Sequence, residues 1–63
     1  MTKETLRTDC EAIAPFLVEQ YGSDNDAVFE YLLGHCSDKL GHRLPEVIVE
    51  MCSEIANAYT QQG

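Results

Sequence analysis

Three cysteines and two histidines are the residues of this chain whose types could support metal or nucleophilic chemistry. They are Cys10, Cys36, Cys52, His35 and His42. Small zinc domains pair ligands at separations of roughly two to five residues, and no two cysteines or two histidines here have that spacing. An odd number of cysteines also disfavours a disulfide framework. The sequence therefore predicts cysteines that act as small core hydrophobes, with no metal and no cofactor.

The segment His35-Cys36-Ser37-Asp38 holds the residue types of a nucleophile, a base and an acid. On a helix, however, adjacent side chains point about 100° apart and do not face each other. A domain of 63 residues also has little volume for a substrate cleft of roughly 300 Å³. We therefore predict that the chain is not an enzyme.

Two breaks divide the chain into segments of helical length. Gly and Asp or Asn cluster in residues 22–26, and Gly and Pro in residues 41–45, as is typical of turns. The prediction is a single all-α domain over residues 1–63. Its three helices should cover about residues 2–21, 24–40 and 45–59.

The first segment contains an interior proline, Pro15. A proline inside a helix removes a backbone donor and crowds the carbonyl four residues earlier, here that of Glu11. Pro15 falls opposite the apolar stripe, so water can reach that carbonyl. One helix kinked at Pro15 is therefore preferred to two short helices. The stripe consists of Leu6, Cys10, Ile13, Leu17 and Tyr21.

The third segment is unusually apolar around its circumference. Its apolar residues cover an arc of roughly 200°, whereas a surface helix needs little more than 100°. The middle of the arc, around Ile48, Met51 and Ile55, should be core, and the flanks should meet a second chain. We predict a homodimer; the alternative is a monomer whose third helix lies deep between the others. The candidate interface comprises Phe16, Val47, Val49, Ala56, Ala58 and Tyr59.

Acidic residues outnumber basic ones by eleven to four, giving a net charge of −7. This charge disfavours direct binding to nucleic acid or to anionic membranes. No apolar run is long enough to cross a bilayer and no leader opens the chain, so a cytoplasmic protein is expected. Glu46, Glu50 and Glu54 form one acidic ridge along the third helix. The ridge offers an alternative function, a mimic of DNA phosphates that inhibits a nucleic-acid-binding protein.

Two stretches carry a resemblance to a known group of proteins. They are residues 24–33, Asp-Asn-Asp-Ala-Val-Phe-Glu-Tyr-Leu-Leu, and residues 43–52, Arg-Leu-Pro-Glu-Val-Ile-Val-Glu-Met-Cys. In length and character, the whole chain resembles the very small acidic accessory proteins encoded in the early operon of lambda-like temperate bacteriophages. The resemblance implies an early-expressed regulator or adaptor that contacts host or phage proteins in the bacterial cytoplasm. It supplies no catalytic residues.

Overall fold

A computed structural model describes residues 2–61 and shows three α-helices. They are α1 (Lys3–Tyr21), α2 (Asn25–Lys39) and α3 (Glu46–Thr60). No strand occurs within these described residues. The prediction of three helices is confirmed, and every helix end lies within one residue of the predicted position.

Side chains cap the first two helices. The Thr2 hydroxyl accepts a hydrogen bond from the Thr5 N–H at 3.2 Å, and the Asp24 carboxylate accepts one from the Ala27 N–H at 3.2 Å. Each cap satisfies a donor that the first helical turn leaves free. Gly22 ends α1 at a φ of 68°, which glycine adopts without steric cost. These local signals explain why the helix ends are readable from the sequence.

The α2–α3 connection holds two residues in the left-handed region. Gly41 and His42 both have a φ of 67°, and the His42 N–H donates to the Ser37 carbonyl at 2.7 Å. Pro45 then precedes α3 as its cap residue rather than forming its first turn. The His42 backbone therefore helps to close this connection.

A single cluster of buried apolar residues lies between the helices, and all three helices pack against one another. No polar or charged residue among those described is buried. The core of the protein is therefore dry and held together by apolar contacts. The buried residues are Leu6, Cys10, Ala14, Leu17, Val28, Leu32, Cys36, Ile48, Met51, Cys52, Ile55 and Ala56.

One flank of α3 is covered within the chain. Ala56, predicted at the interface, is fully buried, and that part of the prediction was wrong. The flank turns towards α2, since the Asn25 amide donates to the Thr60 hydroxyl, one turn beyond Ala56, at 3.2 Å. Val49 is half-buried, and Tyr59 packs against the core. On this flank, the apolar residues of α3 are covered by the chain itself, as in the alternative of a monomer whose third helix lies deep between the others.

The opposite flank of α3 stays open. Val47 is 44% exposed, and Ala58 is also exposed. Phe16 on α1 is the most exposed large apolar side chain of the described residues, at 71%. These three residues remain available for contact with another molecule.

Pro15 lies inside α1, which runs through it as one helix. The residue is exposed, as expected of a proline that faces water. The kink at this position stays a prediction.

We expect Pro15→Ala to raise the free energy of unfolding by about 1–2 kcal/mol. Alanine restores a backbone donor towards Glu11 and relieves the ring clash, which outweighs the greater freedom of the unfolded chain. Urea unfolding of both proteins measures the difference. A clear loss of stability would show that the proline is required where it stands.

Candidate functional site

Each helix contributes one cysteine to the same point of the core. Cys10, Cys36 and Cys52 come from α1, α2 and α3, and all three are fully buried free thiols. The Cys36 Sγ lies 3.6 Å from the Cys10 Sγ and 3.6 Å from the Cys52 Sγ. All three sulfur atoms lie within 4.8 Å of one another. We call this group the thiol cluster.

The convergence of the cysteines was missed at the sequence level, although each was correctly placed on a buried face. They are 26 and 16 residues apart along the chain, so no short motif reveals them. A signal was nevertheless present for the first pair. α1 ends at Tyr21 and α2 begins at Asn25. The number of residues from Cys10 to the end of α1 equals the number from the start of α2 to Cys36. Antiparallel helices joined by a short turn bring such positions level.

Burial and mutual contact keep the thiols of Cys10 and Cys36 protonated. Contact with the Cys52 thiol, followed by burial, raises the pKa of Cys10 well above its ordinary value. Burial, followed by contact with Cys10, raises the pKa of Cys36 to about 11. The thiolate is the nucleophilic form of cysteine. Cys10 and Cys36 are therefore poor nucleophiles at neutral pH.

His35 joins α2 to α1 at the rim of the bundle. Its Nε2 lies 3.5 Å from an Asp9 carboxylate oxygen, and the two side chains form an ion pair when the ring is protonated. The same nitrogen is buried and makes no hydrogen bond. Among residues 2–61, the thiols alone form a metal-capable group of three or more side chains. The structure thus does not assemble His35, Cys36 and Asp38 into a catalytic group.

A hollow of about 370 Å³ lies beside His35. Its lining comes from α2 alone: Tyr31, Gly34, His35 and Asp38. Gly34 has no side chain, and a methyl group added there would meet no atom within 4 Å. The glycine therefore contributes to the open space of the hollow. Three of the four lining residues are exposed. The hollow is an open depression rather than the enclosed cleft that substrate binding requires.

Two exposed aromatic residues lie on the side of the bundle where α1 meets α2. Phe16 is 71% exposed and Tyr31 is 52% exposed. Phe16 lies two turns beyond Asp9, and Tyr31 one turn before His35. Asp9 and His35 are in contact and mark the same level on α1 and α2. With a rise of about 1.5 Å per residue, Phe16 and Tyr31 each lie within about 11 Å of that level, measured along their helix axes. We call Phe16, Tyr31 and the adjoining hollow the aromatic face; its Tyr31 half was not predicted.

The acidic ridge is present on the outside of α3. Glu46, Glu50 and Glu54 are all exposed. Arg7 of α1 lies 3.7 Å from the Glu54 carboxylate, with 40% and 70% of the two side chains exposed. An ion pair this exposed contributes little to stability, but it reduces the negative potential at one end of the ridge.

Comparison with known proteins gives no relative: no family model, curated protein or solved structure matches the chain. Within residues 2–61, no helix combines the length and the apolar character needed to cross a bilayer. Function must therefore be inferred from the thiol cluster, the aromatic face and the charge of this chain.

We expect the free energy of unfolding to fall as pH rises from about 9 to about 11. Cys36 ionises near its ordinary pKa of 9.0 when unfolded but only near about 11 when folded. The stability that the protonated Cys36 thiol contributes is thus complete below pH 9. It is lost as the pH rises through the pKa of Cys36 in the folded protein. The loss is at most about 1.4 kcal/mol per pH unit for one thiol.

Urea unfolding at a series of pH values measures this slope. Cys36→Ala is the control, because it removes the thiol but keeps every tyrosine and lysine that titrates in the same range. The variant should show a shallower decline than the wild type. Parallel profiles would contradict the protonated, buried state of Cys36.

Proposed function

We propose that this chain is a non-enzymatic protein-interaction module. The observation that carries the proposal is Phe16, a large apolar side chain 71% exposed in the middle of α1. Tyr31 lies on the same side, although the core is complete without either residue. Aromatic residues are enriched where proteins bind each other, because they bury a large area with few rotatable bonds. The aromatic face is therefore the proposed contact surface.

The chemistry of the partner follows from the charge around that face. The chain carries −7 overall. Asp38 lines the hollow together with Tyr31, and Asp9 lies two turns before Phe16 on α1. A suitable partner offers an apolar patch bordered by Lys and Arg. Opposite charges at the rim accelerate association, while the desolvated aromatic centre supplies most of the affinity.

The cellular setting of the proposal comes from the resemblance to early accessory proteins of lambda-like bacteriophages. In that setting the module is a regulator or adaptor in the bacterial cytoplasm. Its partner is a host or phage protein with the basic and apolar surface described above. It needs no cofactor for this role.

A homodimer forms a second part of the proposal and uses a different surface. Val47 is 44% exposed and Leu44, just before α3, is 39% exposed. Ala58 extends the same open flank of α3. In a two-fold dimer this patch would meet its own copy, so that each apolar contact occurs twice.

The alternative function, an acidic inhibitor of a nucleic-acid-binding protein, uses the ridge on α3. Glu46, Glu50 and Glu54 are exposed, and Glu54 lies close to Arg7. Such a ridge would bind through exposed charges, and salt would weaken that binding strongly.

We expect Phe16→Ser to abolish retention of the partner from a bacterial lysate. Since Phe16 is largely exposed, the change should alter the free energy of unfolding by less than about 0.5 kcal/mol. Tyr21→Ser is the matched control: it removes an exposed aromatic residue of α1 that lies off the aromatic face. Capture by immobilised wild type and both variants, at low and high salt, provides the measurement.

The proposal requires a protein that the wild type and Tyr21→Ser retain at high salt and Phe16→Ser does not. Equal retention by the two variants would contradict the role of the aromatic face. A partner lost at high salt, and lost on Glu50→Gln at low salt, would support the acidic inhibitor instead.

We expect Val47→Glu to dissociate the homodimer, because the change places an unpaired charge in the interface of both subunits. Thr8→Glu adds the same charge on an exposed part of α1 and should leave the dimer intact. Sedimentation of the three proteins at matched concentrations measures their masses. A wild type with the mass of one chain from micromolar to millimolar concentration would contradict the dimer.

A further inference from the structure

We propose that the thiol cluster binds one trivalent arsenic atom, taken up as arsenite, through Cys10, Cys36 and Cys52. The interaction surfaces described above do not use these buried side chains, so this site is independent of the proposed function. Three thiols from three different helices converge within 4.8 Å. Their number, spacing and surroundings together select the kind of ion.

The spacing of the sulfur atoms suits a small three-coordinate centre. A centre with bonds of about 2.3 Å to three sulfur atoms, the length of a zinc–thiolate bond, separates those atoms by about 4 Å when it is planar. The separation is smaller when the centre is pyramidal. The observed separations are 3.6 Å for two of the pairs. Binding therefore requires only small movements of the helices.

The number of ligands argues against zinc. Zinc in structural sites takes four protein ligands in a tetrahedron. In the part of the chain that the structure describes, no histidine or carboxylate joins the three thiols. Trivalent arsenic needs no fourth ligand, because its lone pair occupies that position.

The dryness of the core favours trivalent arsenic over Cu⁺ and Zn²⁺. A buried net charge is costly unless it is paired, and no charged residue among those described is buried here. Three thiolates give a net charge of −2 with Cu⁺ and −1 with Zn²⁺. With trivalent arsenic they give a neutral complex, which this core can hold without a counter-ion.

The binding reaction also matches protonated thiols. Arsenite at neutral pH is As(OH)₃; three As–O bonds break and three As–S bonds form. Each thiol proton leaves with one hydroxyl group as water, so three waters are released and the oxidation state of arsenic does not change. No free thiolate accumulates, in keeping with the raised pKa of Cys10 and Cys36. Local opening of the small bundle gives arsenite access to the core.

The test combines native mass spectrometry with urea unfolding in the presence of sodium arsenite. We expect one arsenic per chain with three protons lost and no hydroxyl retained. The unfolding midpoint should rise with arsenite concentration, because the folded chain holds the three thiols together. Cys52→Ala should weaken binding by about 100-fold or more, since it removes a linked third ligand.

Ile55→Val is the matched control, because it also removes buried volume but keeps all three thiols; its arsenite affinity should equal that of the wild type. Wild-type affinity should stay constant from about pH 6 to about pH 8, because the thiol protons leave as water. Metal cations release those protons to solution and therefore bind more tightly as pH rises. If Cys52→Ala does not fold, the wild-type midpoint alone decides.

Three results would overturn the proposal. An adduct that keeps a hydroxyl would mean that only two thiols bind. An unchanged or lowered unfolding midpoint would mean that arsenite prefers the unfolded chain. A larger rise in the midpoint with Zn²⁺ or Cu⁺ would assign the site to a different ion.

Discussion

The close approach of the three helices at the thiol cluster is the contact on which the rest of the structure depends. Sulfur atoms in contact at 3.6 Å mean that each helix presents a small side chain where it meets the other two. A larger side chain at any of these positions would force the helices apart, and overpacking of a core typically costs about 1–3 kcal/mol. Leu6, Leu32 and Met51 are fully buried in the same core.

A core this small and dry leaves polar interactions to the periphery. The Asn25 amide, for example, donates to the Asn57 side chain at 2.7 Å across the outer edge of α2 and α3. Phe16 and Tyr31 are exceptions to this separation of apolar interior from polar exterior. Packing within the chain does not require them, and their exposure is the basis of the contact surface proposed above.

Local signals made the helices predictable, whereas relationships between helices were not. Turn residues and the caps Thr2 and Asp24 define the helix ends, and the apolar stripes identify most of the core. A stripe does not reveal which of its flanks a neighbouring helix will cover, so Ala56 was misplaced. Whether Cys36 meets Cys10 and Cys52 likewise depends on the axial alignment of the three helices. Tertiary packing decides that alignment, and no single segment of the sequence encodes it.

The distribution of buried residues along the chain constrains when the protein can fold during its synthesis. The last helix, α3, contributes five of the twelve buried residues, more than either other helix. A nascent chain that ends before Glu46 has two helices with no third surface to cover them, and two short helices in isolation are only marginally stable. The bundle therefore forms only once α3 has left the ribosome, and until then the apolar faces of α1 and α2 are open to chaperones and proteases.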